Sequence, residues 1–253
     1  MIVAERFVFL HLHKSGGSFV NDCLLRFLPD ARQIGYHLPR SLLPPGAAQL
    51  PVLGLVRNPW SYYVSWYSFQ QRRPQPNALF RVLSDDGRLG FEPTLRRMLS
   101  LSEDTALRQT LVAALPTQYL QRGLNLPGFA LAPIAGSGLG FYSYLYRYLY
   151  AGTGLRHIGR MERLRTDLVP MLVSVGQGVS GAMREYIDAS PARNVSEHAA
   201  YVDYYTPALA ERVAEADATV IRAHGYCFGD PPIDASPVPA GDPRLPGAGA
   251  TAA

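Results

Sequence analysis

The chain predicts an α/β protein of three layers, with helices on both faces of a central, mainly parallel sheet. Three observations carry this. Short β-branched and aromatic runs alternate with segments of helical period. Two of these runs stop abruptly, one in a glycine loop and one in Asn-Pro, and a helix follows each. Hydrophobic residues make up 47% of the 253, enough for one sizeable core. One domain is expected over residues 1–230.

Residues 6–12, RFVFLHL, read as a buried strand, broken by KSGGS. Residues 18–28 then place Phe19, Val20, Cys23, Leu24 and Phe27 at helical spacing, with Ser18 as the expected N-cap. The turn-rich LPPGAAQLP leads into VLGLV, residues 52–56, a second buried strand that ends at Arg57. Asn58 suits an N-cap and Pro59 the first helical position. A helix is expected from there to about Gln70, where RRPQP stops it. Residues 77–122 read as helical, 123–140 as irregular, and 141–150, FYSYLYRYLY, as densely aromatic. Residues 155–162 read as a third strand with a helix after it. Residues 206–225 read as one long helix, with Pro207 in its first turn and Gly225 as C-cap. From residue 231 to 253 the chain is rich in Pro, Ala and Gly and is expected to be disordered.

Charged residues are 17% of the chain and the net charge is +4. This mild basic excess fits a small anionic ligand better than nucleic acid, whose binding proteins show dense basic clusters, and charge alone leaves equally open that it only keeps the protein in solution. The two cysteines, Cys23 and Cys227, lie far apart and suggest neither a disulfide scaffold nor a metal cluster. Glu5 and Arg6 interrupt the apolar start, which argues against a signal peptide. No run approaches the ~20 apolar residues of a membrane span. A cytoplasmic protein with no membrane partner is expected.

HLHKSGGSFV, residues 11–20, holds the only lysine among 24 basic residues. Gly16 and Gly17 allow close backbone approach and positive φ. The next helix directs free N–H groups and its positive dipole end at whatever binds there. Ser18 adds a hydroxyl and Lys14 a mobile charge, so the loop suits a phosphate. It is not the triphosphatase loop G-x-x-x-x-G-K-[ST], where lysine follows the glycines. The shorter loop here suits a smaller group. The residues alone leave open a tight strand-to-helix turn with a solvated lysine. VRNPWSYYVSWY, starting at Val56, repeats the logic. Arg57 offers a bidentate fork, and Ser65, two turns after Asn58, shares its helix face. The plainer alternative is a capped helix whose Ser65 faces solvent.

Together the two segments resemble the signatures of sulfotransferases that use 3′-phosphoadenosine 5′-phosphosulfate (PAPS). The likeness is closest to the branch containing carbohydrate enzymes such as heparan sulfate 2-O-sulfotransferase, and bacterial relatives. That branch shows H-x-x-K-[ST]-G-G-[ST] and V-R-N-P-[WF]-x-R-x-x-S-x-Y, about forty residues apart as they are here. The resemblance implies a sulfotransferase fold related to the P-loop NTPases, with PAPS as donor and 3′,5′-adenosine bisphosphate (PAP) as product. It places the 5′-phosphosulfate on Lys14, Ser15, Gly16, Gly17 and Ser18, and the 3′-phosphate on Arg57 and Ser65. One position departs: Tyr62 or Tyr63 stands where arginine often appears. HIGRMERLRTDL, residues 157–168, and the C-terminal NVSEH to YCFGD region are similar more loosely, and residues 71–154 show little likeness.

Sulfuryl transfer needs the charge developing on the leaving phosphate neutralised, a task for Lys14. It also needs a general base, and histidine has the right intrinsic pKa. His11 reads as core, His13 as a loop border, and His157 and His224 as structural. His198 stays a candidate without an assigned role. The resemblance places a base-bearing histidine about twenty residues before the arginine segment, and His37 precedes Arg57 by that distance. His37 is therefore the expected base, with Glu162 or another carboxylate open. Arg193, Asn194 and Ser196 form a weaker group that also reads as a surface turn. No metal is expected.

WSYYVSWYSF and FYSYLYRYLY offer aromatics for an acceptor pocket, although aromatics at helical spacing are more often core. GSGLG, residues 136–140, lacks dinucleotide spacing. The expected acceptor is a carbohydrate hydroxyl or a small secondary metabolite, and the protein a tailoring enzyme. Two other classes stay open. A phosphoryl-transfer enzyme of P-loop type would need magnesium and a carboxylate where Arg57 stands. A non-catalytic nucleotide-binding relative would have no need to keep Lys14.

Overall fold

The computed structural model describes residues 1–152, 154–191 and 198–230. The expected tail, 231–253, and the group Arg193, Asn194 and Ser196 lie outside the described residues.

The chain opens with β1 (Ile2–Val3), turns back into β2 (Val8–Leu10), and passes through α1 (Gly17–Phe27) to β3 (Arg32–Gln33). β4 (Val52–Val56) and α2 (Pro59–Gln71) follow. A helical block comes next: α3 (Ala78–Leu83), α4 (Phe91–Leu99), α5 (Thr105–Ala114), α6 (Gly128–Leu131) and α7 (Phe141–Tyr150). β5 (Arg156–Arg160), α8 (Leu164–Ser174), α9 (Gly181–Ala189), α10 (Pro207–Ala216) and α11 (Ala218–His224) complete it.

The five strands form one sheet in the order β3-β1-β2-β4-β5. β2, β4 and β5 are parallel, the expected centre, while β1 joins β2 and β3 antiparallel. The pleat sorts side chains by alternation. Val8, Leu10, Val52 and Val56 face one apolar cluster with α2 to α7, α10 and α11. Phe9, Leu53 and Leu55 face another with α1, α8 and α9. The result is the three-layer α/β/α arrangement.

Three local expectations are corrected. Gly16, not Ser18, occupies the N-cap of α1, in the left-handed conformation (φ 77°). Residues 115–122 are not helical. The single helix expected over 206–225 is two, broken at Asp217. That carboxylate is fully buried and accepts from the Tyr63 hydroxyl at 2.6 Å and the Ser143 amide at 2.7 Å. Burial raises its pKa to about 6. The break thus tethers the C-terminal helices to α2 and α7. Among the described residues no helix is long and apolar enough to cross a membrane.

One tyrosine shapes the edge where ligands of parallel sheets bind. β2 and β4 pair only as far as Leu10 and Gly54. A Cβ on Gly54 would lie 2.4 Å from the Tyr150 ring, so only glycine admits that ring. Beyond it the Tyr150 hydroxyl donates to Leu55 O (2.9 Å) and accepts from Leu55 N–H (3.2 Å). Backbone groups left unpaired as the strands part are satisfied there.

Candidate functional site

At the carboxyl ends of β2, β4 and β5, three loops open into a cavity of about 1300 Å³. Lys14, Gly16, Gly17, Ser18, His37, Arg57 and Glu162 line it. Ser15 and Ser65 are buried behind the wall, each 1% exposed.

The first loop is built on two left-handed residues, Lys14 (φ 57°) and Gly16 (φ 77°). A non-glycine residue in that region is uncommon. No side chain caps α1, so its first amides face the cavity with the positive end of the helix dipole. Gly17 is bare for a different reason from the one expected. It is helical, and a Cβ there would lie 2.0 Å from the His11 ring, so its role is to admit that ring. The Lys14 ammonium rests 4.1 Å above the Phe69 ring. Burial, then the nearby Arg57 charge, lowers its pKa to about 8. Ser15 is a strut: its hydroxyl meets the Tyr142 hydroxyl at 2.9 Å and donates to His13 O at 3.3 Å.

The second loop follows its sequence closely. Asn58 caps α2 by accepting from Ser61 N–H, with Pro59 in the first turn. Arg57 is held from several sides. Its Nε and Nη2 donate to Ser61 Oγ at 3.0 and 2.8 Å, and its Nη1 to Lys14 O at 3.3 Å. Its backbone N–H donates to the Tyr142 hydroxyl at 2.7 Å. Ser61, on the cavity wall, is thus the hydroxyl beside Arg57. Glu162, from the end of β5, accepts from Asn58 N–H at 2.7 Å and from the Tyr226 hydroxyl at 2.9 Å. Both its oxygens are engaged, which makes it a brace for the α2 start.

Three histidines gather beside the first loop. His37 and His11 rings lie 4.2 Å apart, and His37 and His13 rings 5.4 Å apart. His37 is itself left-handed (φ 49°). Its Nδ1 lies 2.6 Å from His11 O. A carbonyl can only accept, so Nδ1 carries the proton and Nε2 the lone pair. Burial lowers the His37 pKa to about 4, against the upward pull of that hydrogen bond. Burial likewise holds His11 and His13 well below the ordinary range. His224 packs on Tyr146 and His157 approaches Ser174, both away from the cavity. His198 lines it.

The aromatic segments are mostly core, and of their rings only Phe69 lines the cavity. Of the two tyrosines where the resemblance often has arginine, Tyr62 stacks on Tyr142 at 4.1 Å and Tyr63 donates to Asp217, and FYSYLYRYLY contributes no residue to the cavity wall. Phe69 belongs to a segment the sequence offered for an acceptor pocket, and it does line the cavity. Ser61 and the part Tyr142 plays beneath the loops were overlooked, and the only sequence signal of Ser61 was its position one turn after Arg57.

No family model matches the chain, and no curated protein matches it. Among solved structures the chain is similar to a mouse sulfotransferase, SULT7A1, in complex with PAP. Identity is 13% and the TM-score 0.47, over 87% of this chain and 85% of that one.

Proposed function

We propose that the protein is a sulfotransferase that moves the sulfuryl group of PAPS to a hydroxyl of a carbohydrate or small-molecule acceptor. One observation supports this above the others. An uncapped helix start, Lys14 and Arg57 converge on one cavity, and among the described residues no carboxylate forms an ion pair with either cation.

In this reading the amides of Gly17 and Ser18 and the Ser18 hydroxyl hold the 5′-phosphosulfate. Arg57, oriented by Ser61, takes the 3′-phosphate. Lys14 leaves Phe69 and meets the charge that grows on the bridging oxygen. His37 Nε2 takes the acceptor proton. The sulfur–oxygen bond to PAP breaks as the bond to the acceptor oxygen forms. A pKa near 4 keeps His37 neutral at pH 7, and the negative charge of the donor beside it raises its basicity on binding.

The test is calorimetry with PAP, without metal, against ATP with Mg²⁺. Tight binding of PAP supports the reading. Binding of ATP–Mg²⁺ with no binding of PAP overturns it in favour of phosphoryl transfer.

A further inference from the structure

Resting on that reading, the geometry points to an acceptor of particular character. We propose that the far end of the cavity takes a hydroxyl compound with an apolar body and an anionic group, the anion held by Arg73 and Arg122.

The cavity has room for two ligands, since about 1300 Å³ exceeds the ~300–1000 Å³ of an ordinary single-ligand site. It also has two ends. Along α2, Ser61 lies beside Arg57, while Phe69 and Arg73 line the wall two to three turns on, about 12 Å or more away. Lys14 spans the boundary, its carbonyl on Arg57 and its ammonium on Phe69.

The far end belongs to the acceptor because its wall is tied to His37. The segment between α5 and α6 holds the Tyr36 peptide from both sides. Gln121 Oε1 accepts from Tyr36 N–H at 3.0 Å, and Asn125 Nδ2 donates to Tyr36 O at 2.5 Å. Asn125 Oδ1 in turn accepts from Gln121 N–H at 2.9 Å. A compound lying against this segment lies beside the base.

The chemistry of that wall then selects the compound. Leu115, Pro116, Leu120, Leu124 and Leu126 line it from one side, and Phe69 and Leu79 from α2 and α3. Of its amides, Asn125 is engaged at both ends and Gln70 and Asn77 through their oxygens, which leaves Gln75, Gln118 and two amide N–H groups for a ligand. A sugar carries more hydroxyls than these few amides among the leucines can satisfy, which is unfavourable. Two cations remain. Arg73 lies over Phe69 at 5.4 Å, and among the described residues neither it nor Arg122 forms an ion pair with a carboxylate. The cavity's carboxylates are at the other end. Glu162 is bound by Asn58 and Tyr226, and Asp230 by Arg160 and Cys227 N–H. The uncompensated positive charge of the far end is complementary to an anion.

Calorimetry with defined probes tests this, in PAP-free and PAP-loaded protein. The probes are 12-hydroxydodecanoate, 1,12-dodecanediol and lactose. The acid should bind about tenfold more tightly than the diol, and lactose most weakly. In the double variant R73Q/R122Q the acid should fall to the level of the diol, with diol binding as the sign of an intact wall. Equal binding of acid and diol, or lactose binding as tightly as the acid, overturns the proposal. An acid preference without PAP binding keeps this proposal and overturns the sulfotransferase reading. PAP binding without an acid preference does the reverse.

Discussion

The chain makes the same turn twice at one sheet edge, from β2 into α1 and from β4 into α2, and finishes the two differently. α2 begins with a side-chain cap, a proline in its first turn and a carboxylate brace, Asn58, Pro59 and Glu162. Its arginine is fixed by Ser61 and Lys14 O. α1 begins with a left-handed glycine and no side-chain cap, and its lysine ammonium only rests on a ring. In the proposed reading the difference is a division of labour. Where a charge must stay in place, the helix start is satisfied internally. Where a group must follow a reacting bond, the donors are left for the ligand to satisfy.

Substitutions at the open turn should have the largest effect. Lys14→Ala should lower transfer by about 10²–10³-fold, the loss typical of one charge-stabilising donor. Lys14→Arg should lower transfer far more than PAP affinity, read as kcat beside a calorimetric Kd. An equal loss in both would make Lys14 an anchor like Arg57 and erase the contrast. Next, His37→Ala should lower turnover by about 10²-fold or more while PAP still binds. Turnover within a few-fold of the parent would remove His37 from the chemistry.

The histidines beside the open turn predict an acid-sensitive fold. The folded pKa of His37, about 4, lies below its ordinary 6.5. Its contribution to stability is complete above pH 6.5 and is lost as pH falls toward 4. Between pH 7 and pH 5 the loss is about 2 kcal/mol from this residue. His11 and His13 act in the same sense. Asp217, raised to about 6, acts in the opposite sense, its contribution growing as pH falls through that value. His224, lowered to about 4, and the Met1 ammonium, lowered to about 5, both by burial, act with the three histidines. Denaturant titrations at the two pH values measure the sum, and equal stability would contradict the burial of these groups in their neutral forms. The smallest effect sharpens the comparison itself. Asn58→Ala should cost about 1–3 kcal/mol, as a lost cap together with its Nδ2 bond to Cys227 O, and Ser18→Ala less, because Ser18 caps nothing. Equal losses in thermal melts would mean that the two helix starts are not finished differently.

Much of this contrast was legible in the sequence, and for identifiable reasons. VLGLV followed by Arg-Asn-Pro announces a buried strand, a cation at its end and a capped helix, all through neighbours in sequence. Lys14 and Gly16 sit in a loop that only a strand-to-helix switch explains. β1 and β3 were missed because two residues carry no period. Gly17 was misread because the ring it accommodates, His11, belongs to the preceding strand end. The strut Tyr142 and the break at Asp217 depend on partners far away in sequence: Arg57 for the first, Tyr63 and Ser143 for the second. Local pattern is blind to these. Ser65 has the spacing of a ligand residue, but α2 is buried almost all round, and spacing does not say which face reaches the cavity.

The most direct test of the division of labour compares two nucleotides that differ only by the 3′-phosphate. PAP and adenosine 5′-monophosphate should be titrated into the parent protein and into Arg57→Ala. The parent should prefer PAP by about tenfold or more, as a charge-assisted hydrogen-bonded phosphate warrants. Arg57→Ala should bind both alike, at the parent's affinity for the monophosphate. A variant that keeps the preference for PAP would contradict the assignment of the capped turn to the 3′-phosphate.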